Sequence, residues 1–366
     1  MNVLTPSQLE QWKSDGYLLL PSFFSPEDVK EMLDEAKRLC DEFDIEGHPL
    51  TAFKTAADGE HVGDDYFLNS NDKACLHLPQ LLTLCIIHGP ITTQDIASPS
   101  RSKSHINSSQ PELTPSHPQI RYFLEPTATS PATPDTPAKL LVPPSQSINK
   151  IGHALAVLNP IFHKYTLENE KIRGVARDLD EQRDPRVLQS MIICKQPRIG
   201  GTVPCHNDST FLYTDPPSAI GFWIALEDCQ PSNGCLSFLP GSHKTARISS
   251  RFIRNPSGKG TTFIDLPDVK KNEEDWEGME GWRESDCKAG TLVLIHGSVM
   301  HKSPPNLSDK TRFIYTFHMI EGAEGTKYDE KNWYVPVSFY LLSTRPKLNV
   351  QETEIEGGQG LICDVV

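Results

Sequence analysis

After Arg186 the chain becomes a succession of short apolar runs separated by turn residues: VLQSMIICKQP, IGFWIALED, CLSFLPGSH, TTFIDL, TLVLIHG and RFIYTFHMI. Runs of β-formers punctuated by Gly, Pro, Asn and Asp predict many short strands in a row. That order constrains the fold to a mainly β architecture, a sandwich or jelly roll with helices packed outside it. At 366 residues the chain could hold two ordinary domains, yet large single β-barrels approach this size as one unit.

The region before the strands has a different pattern. Residues 5–15 predict a helix with Thr5 as N-cap, Pro6 at its first position and Gln8 completing a capping box. DGYLLLPSFF reads as turn, short strand and exit, and SPEDVKEMLDEAKRLCDEFD repeats the helix logic from Ser25 and Pro26. Residues 1–73 are therefore expected to form a helical entry to the domain. Residues 74–119 open with a short apolar run, then turn to Ser, Pro, Thr, His and Gln without sustained periodicity, and a Thr/Pro tract follows at 126–138. SQSINKIGHALAVLNPIFHKYTLENEKIRGVARDL returns to helical spacing, broken at Pro160. Residues 120–340 complete the expected single domain, and 341–366 read as a C-terminal tail.

Charge and cysteine usage narrow the function classes. The net charge is −13 and no dense Lys/Arg cluster occurs, which argues against a general nucleic-acid or anionic-membrane binder. Cys40, Cys75, Cys85, Cys194, Cys205, Cys229, Cys235, Cys287 and Cys363 are odd in number and lack CxxC spacing, so they read as reduced thiols. The first residues show no secretory pattern, LLTLCII is too short to span a bilayer, and LICDVV carries no organelle address. The expected location is the cytoplasm. N-x-S triplets at Asn107, Asn207 and Asn306 are common by chance, and a glycan on Asn207 would exclude the site described next.

The segment PCHNDSTF places His206 and Asp208 two residues apart. On a strand, positions i and i+2 share a face, so an imidazole and a carboxylate would enter one cavity. A second imidazole would complete the facial triad that holds ferrous iron while leaving positions open for a cosubstrate and dioxygen. His243, His296, His301 and His318 are the downstream candidates, and spacing alone does not rank His296 against His301. An arginine favours His301: chemistry with 2-oxoglutarate needs a cation for the distal carboxylate, and Arg312 opens a strand shortly after His301. Ligand and clamp would then sit on neighbouring strands of one barrel, with Ser303 able to add a hydroxyl. Cys205 is adjacent to His206 and would face the opposite way, so it is set aside as a ligand.

The run from QSMIICKQPRIGGTVPCHNDSTFLYTDP through GFWIALEDCQPSNGCLSFLPGSHK to GTLVLIHGSVMHKSPPNLSDKTRFIYTFH resembles the phytanoyl-CoA dioxygenase family of Fe(II)/2-oxoglutarate oxygenases. The resemblance implies a double-stranded β-helix, a cupin-like jelly roll whose open mouth holds Fe(II). It implies His206, Asp208 and His301 as the iron ligands and catalytic residues, with Arg312 and Ser303 holding the distal carboxylate of 2-oxoglutarate. Lys150, Met191 and Trp223 occupy positions that contact the cosubstrate in the most similar family members. Met191 and Trp223 equally suit a core, and Lys150 lies beside a helical pattern. The implied reaction consumes O2, converts 2-oxoglutarate to succinate and CO2 and hydroxylates a small organic or acyl substrate; ascorbate should help it in vitro. Asp208 favours hydroxylation over halogenation, because related halogenases keep that position small. In the family the segments ending at Lys73 and starting at Ile120 adjoin, so 74–119 read as an insertion, either a disordered loop or translated intron sequence. A cupin-like metal reaction without 2-oxoglutarate and a catalytically silent binding or sensing module are the competing readings. The residues specify neither the substrate nor the oligomeric state.

Overall fold

The computed structural model describes residues 2–50, 65–70, 120–130, 133, 135–258, 260–270, 275–335 and 340–341. Helix α1 (Pro6–Asp15) begins at Thr5, whose hydroxyl accepts from the Gln8 N–H while the Gln8 side chain accepts from the Thr5 N–H. Gly16 ends it at φ 79°, and a side chain there would run into the His243 ring. After strand β1 (Tyr17–Leu20), helix α2 (Pro26–Asp41) starts from the same reciprocal cap between Ser25 and Asp28. Its Val29, Met32, Ala36, Leu39 and Cys40 are buried at helical spacing, which gives it one face to pack.

The further strands of the two main sheets are β2 (Arg121–Leu124), β3 (Ile148–Gly152), β4 (Pro185–Lys195), β5 (Val203–His206), β6 (Ile220–Ala225), β7 (Leu236–Phe238), β8 (Arg283–Ser285), β9 (Leu292–His296), β10 (His301–Ser303) and β11 (Arg312–Glu321). The larger sheet runs β1-β9-β6-β11-β4-β3-β2, and Tyr340–Leu341 also pairs with β4. A second sheet runs β8-β7-β10-β5. All these pairings are antiparallel.

Every residue of β6 is buried, and all of β11 except its last is too. Such a strand needs cover on both faces, and the two faces have different cover. Phe313, Tyr315, Phe317 and Met319 join a core with Met32, Ala36 and Leu39 of α2, Phe162 of α3 (Pro160–Thr166) and Ile172 and Val175 of α4 (Glu170–Leu179). Ile314, Trp223, Ala225, Val293 and Ile295 form a separate cluster with Leu236 and Phe238 of the second sheet. Burying a side chain of this size contributes about 1.5–3 kcal/mol, against about 0–1 kcal/mol for an exposed ion pair. Packing therefore sets where the sheet sits, and the space between the sheets receives Arg312, Thr316 and His318.

One expectation changes here. Residues 148–152 were expected to continue a helix and instead form β3, because Lys150 and Ile151 pair with Ile193 and Ile192 at the side of β4 while Ile148 and Ile151 enter the core. Helix resumes only after it, and the predicted break at Pro160 is the start of α3, capped by Asn159. Asn207 and Asn306 are buried with committed side chains: Asn207 accepts from the Thr210 N–H at 3.1 Å, and Asn306 donates to the carbonyls of Lys195 and Lys310 at 2.9 and 2.7 Å. Asn107 and the segment 74–119 lie outside the described residues, as does the tail beyond Leu341. Among the described residues no helix is long and apolar enough to cross a membrane.

Candidate metal centre

Strand β5 stops at His206, and Asp208 opens a single 3-10 turn, Asp208–Thr210, capped by Asn207. The two residues thus do not share one strand as their spacing predicted. The Asn207 cap ends the strand, and the Ser209 N–H donates to the Gly297 carbonyl at 2.8 Å, which ties the turn to the loop after β9. His301, the first residue of β10, pairs directly with His206, and their ring centres are 4.2 Å apart.

Asp208 Oδ1 lies 3.7 Å from the Nε2 atoms of both His206 and His301, and the three ligand atoms all lie within 4.8 Å of one another. Donors bound about 2.1 Å from one ion stand between about 3 and 4.2 Å apart, so the two 3.7 Å separations from Asp208 suit a shared metal. His206 Nδ1 donates to the Pro204 carbonyl at 2.8 Å and His301 Nδ1 to the Val299 carbonyl at 3.1 Å. A carbonyl only accepts, so the ring protons sit on Nδ1 and both Nε2 lone pairs are left for an ion. Burial, with His301 adding to it, pulls the pKa of His206 down to about 4, which keeps it neutral at pH 7. Burial alone would raise Asp208, but the neighbouring His301, His318 and His206 imidazoles outweigh it and hold the carboxyl below the usual carboxylate range.

Arg312 is buried on the larger sheet, so it faces His301 from the opposing sheet rather than from a hydrogen-bonded neighbouring strand. Its Nη1 donates to the Gly234 carbonyl at 2.6 Å and reaches Ser303 Oγ at 3.5 Å, while Nε has no hydrogen-bond partner. Burial lowers its pKa, and the groups that oppose this are the Cys229, Cys235, Cys287 and Cys194 thiols rather than a carboxylate. The Ser303 hydroxyl donates to the same Gly234 carbonyl at 2.8 Å. The Arg312 guanidinium carbon lies 5.7 Å from the centre of the Trp223 ring. Met191 and Trp223 both pair with Thr316 and so flank it on the inner face. Lys150 is buried on β3; burial lowers its pKa to about 7 against the pull of Glu125, and its charge is one of the influences that depress His206.

The other candidate histidines separate. His296 packs on His243 and Trp12 with ring centres at 5.0 and 5.8 Å, in a cluster of its own. His318 does reach the centre, but from behind: its Nε2 is 3.2 Å from Asp208 Oδ2, the oxygen turned away from the other two histidines. Residue spacing alone missed this contact, although alternation along RFIYTFH already places His318 on the face of Arg312.

A double-stranded β-helix carrying two imidazoles and a carboxylate between its sheets is the architecture of non-haem iron oxygenases that use 2-oxoglutarate. EctD from S. alaskensis, solved with 2-oxoglutarate and 5-hydroxyectoine, shares the fold with a TM-score of 0.52 at 15% identity, over 93% of this chain and 86% of that one. The non-heme alpha ketoglutarate dependent epimerase SnoN from nogalamycin biosynthesis shares it with a TM-score of 0.51 at 14% identity, over 93% and 96%. The family model Phytanoyl-CoA dioxygenase (PhyH) matches residues 12–314, and the chain belongs to that family. It is 37% identical over 344 residues to phytanoyl-CoA dioxygenase domain-containing protein 1 of Rattus norvegicus, covering 92% of this chain and 97% of that protein. It is 34% identical over 343 residues to phytanoyl-CoA dioxygenase of Arabidopsis thaliana, covering 93% and 98%.

Proposed function

We propose that the chain is an Fe(II)- and 2-oxoglutarate-dependent oxygenase that hydroxylates a small organic or acyl substrate and releases succinate and CO2. The observation that carries this reading is Arg312: a buried guanidinium with no carboxylate partner among the described residues, on the inner face of the sheet that backs the triad. Leaving such a charge uncompensated costs several kcal/mol, and a bound dicarboxylate offsets that cost through charge-assisted hydrogen bonds. The donor set fits the ion, since His206 and His301 each place Nδ1 on a backbone carbonyl and turn Nε2 toward Asp208, whose carboxyl is held below the usual carboxylate range.

In this reading His206, Asp208 and His301 hold Fe(II), and Arg312 with Ser303 fixes the far carboxylate of 2-oxoglutarate. Trp223 and Met191 wall the cosubstrate, and Lys150 adds positive charge on the β3 side. Bound iron and 2-oxoglutarate together supply the activation of dioxygen. The protein orients the reactants and keeps water out of the space between the sheets. We place the catalytic unit in residues 1–73 and 120–340 and treat 74–119 as an insertion into it; the net charge of −13 and the free cysteines among the described residues suit the cytoplasm.

Succinate release tests the reading: purified protein with Fe(II), ascorbate and 2-oxoglutarate, alongside Asp208→Ala and Arg312→Ala. Succinate from the unaltered chain and none from either variant is expected. Equal succinate from all three would overturn the assignment.

A further inference from the structure

Behind the triad, Gln189, His318 and Gly221 lie in one row across β4, β11 and β6, directly paired in the sheet. Gln189 and His318 are both buried. His318 Nε2 lies 3.2 Å from Asp208 Oδ2, and the Gln189 amide meets the other ring nitrogen, Nδ1, at 3.3 Å. An ionised carboxylate can only accept, so in either orientation of the Gln189 amide the shared proton belongs to His318 Nε2. The lone pair at that nitrogen is therefore not offered to an ion. Gly221 completes the seat: a Cβ there would lie 3.3 Å from Asp208 Oδ2, 3.4 Å from His318 Nε2 and 3.2 Å from the Ile295 Cβ.

From this arrangement we propose that Gln189, His318 and Gly221 form a seat that positions Asp208 as a one-oxygen ligand. The proposal rests on His206, Asp208 and His301 being the metal ligands. With Oδ2 held by His318, only Oδ1 faces the two histidines, 3.7 Å from each Nε2. A carboxylate free to rotate could offer both oxygens and fill a position that a cosubstrate or dioxygen needs. His318 is thus a positioning residue, acting through Asp208.

Cobalt(II) binding to the full chain, followed by visible absorption, tests this without turnover. The unaltered chain should bind one Co(II) and Asp208→Ala should not. Absence of binding to the unaltered chain would overturn the metal reading and this proposal with it. His318→Phe, which keeps a ring but no donor, should weaken binding about 10–100-fold and alter the cobalt spectrum, and His318→Gln, which restores an N–H, should recover part of the affinity. Gly221→Ala should act in the same direction as His318→Phe, and it carries the test if the latter fails to fold. Unchanged affinity and spectrum in His318→Phe or, where that variant does not fold, in Gly221→Ala would overturn the proposal while leaving the metal site standing. Loss of binding in His318→Phe as complete as in Asp208→Ala would also overturn it, by making His318 a ligand.

Discussion

Arg312 holds its guanidinium carbon 5.7 Å from the centre of the Trp223 ring, buried, with Nε unpartnered and its Nη1 on a backbone carbonyl. Among the described residues no carboxylate balances this buried cation. Such a group weakens the ligand-free protein and strengthens a complex with an anion. Arg312→Met should leave the melting temperature of the metal-free protein unchanged or higher and remove the stabilisation that 2-oxoglutarate confers. Thermal melts with and without 2-oxoglutarate check both halves.

Metal binding should also register as stability. A ligand that binds only the folded state at 100 times its Kd contributes about 2.7 kcal/mol. Anaerobic Fe(II) or Mn(II) should raise the melting temperature by several degrees, and a chelator should reverse it. His301→Ala should abolish the response, because His301 supplies one of the Nε2 atoms around Asp208 Oδ1.

Lys150 makes a pH-dependent contribution whose sign follows from its burial. Its pKa falls from 10.5 to about 7 in the folded chain, so between those values the unfolded chain holds a proton that the folded one lacks. Stability from this group therefore rises with pH across that window, and its full penalty applies below pH 7. Lys150→Met should stabilise the metal-free protein most at or below pH 7, by an amount on the order of a few kcal/mol, with the gain vanishing above pH 10.5. Denaturant melts at several pH values measure it. The same variant should bind 2-oxoglutarate more weakly.

The segment 74–119 should be dispensable. A chain joining Lys73 to Ile120 should keep the metal-dependent melting shift and at least the succinate release of the full chain. Sequencing the transcript across codons 73 and 120 asks separately whether the segment belongs to the protein: a message lacking it supports a splicing origin, and uniform inclusion rules that out.

Much of this architecture was legible in the residues because local chemistry and global packing agree. Thr5 with Gln8 and Ser25 with Pro26 announce their helices, and RFIYTFHMI is a strand by composition and by structure. The spacing of His206 and Asp208 pointed to a shared cavity, although a 3-10 turn rather than one strand brings them together. What local pattern could not supply was long-range pairing. Residues 148–152 look helical by spacing and become strand because β2 and β4 offer them partners on both sides. The contact between His318 and Asp208 depends on Gly221 leaving space on a third strand, and one chain read in order cannot show such a vacancy.

The most direct measurement is calorimetric titration of 2-oxoglutarate into the full chain, with and without Mn(II), compared with Arg312→Met. The account predicts one molecule bound per chain in the presence of the metal, much weaker binding without it, and affinity reduced at least tenfold in the variant. Absence of binding to the metal-loaded unaltered chain, or binding that ignores both the metal and Arg312, would contradict it.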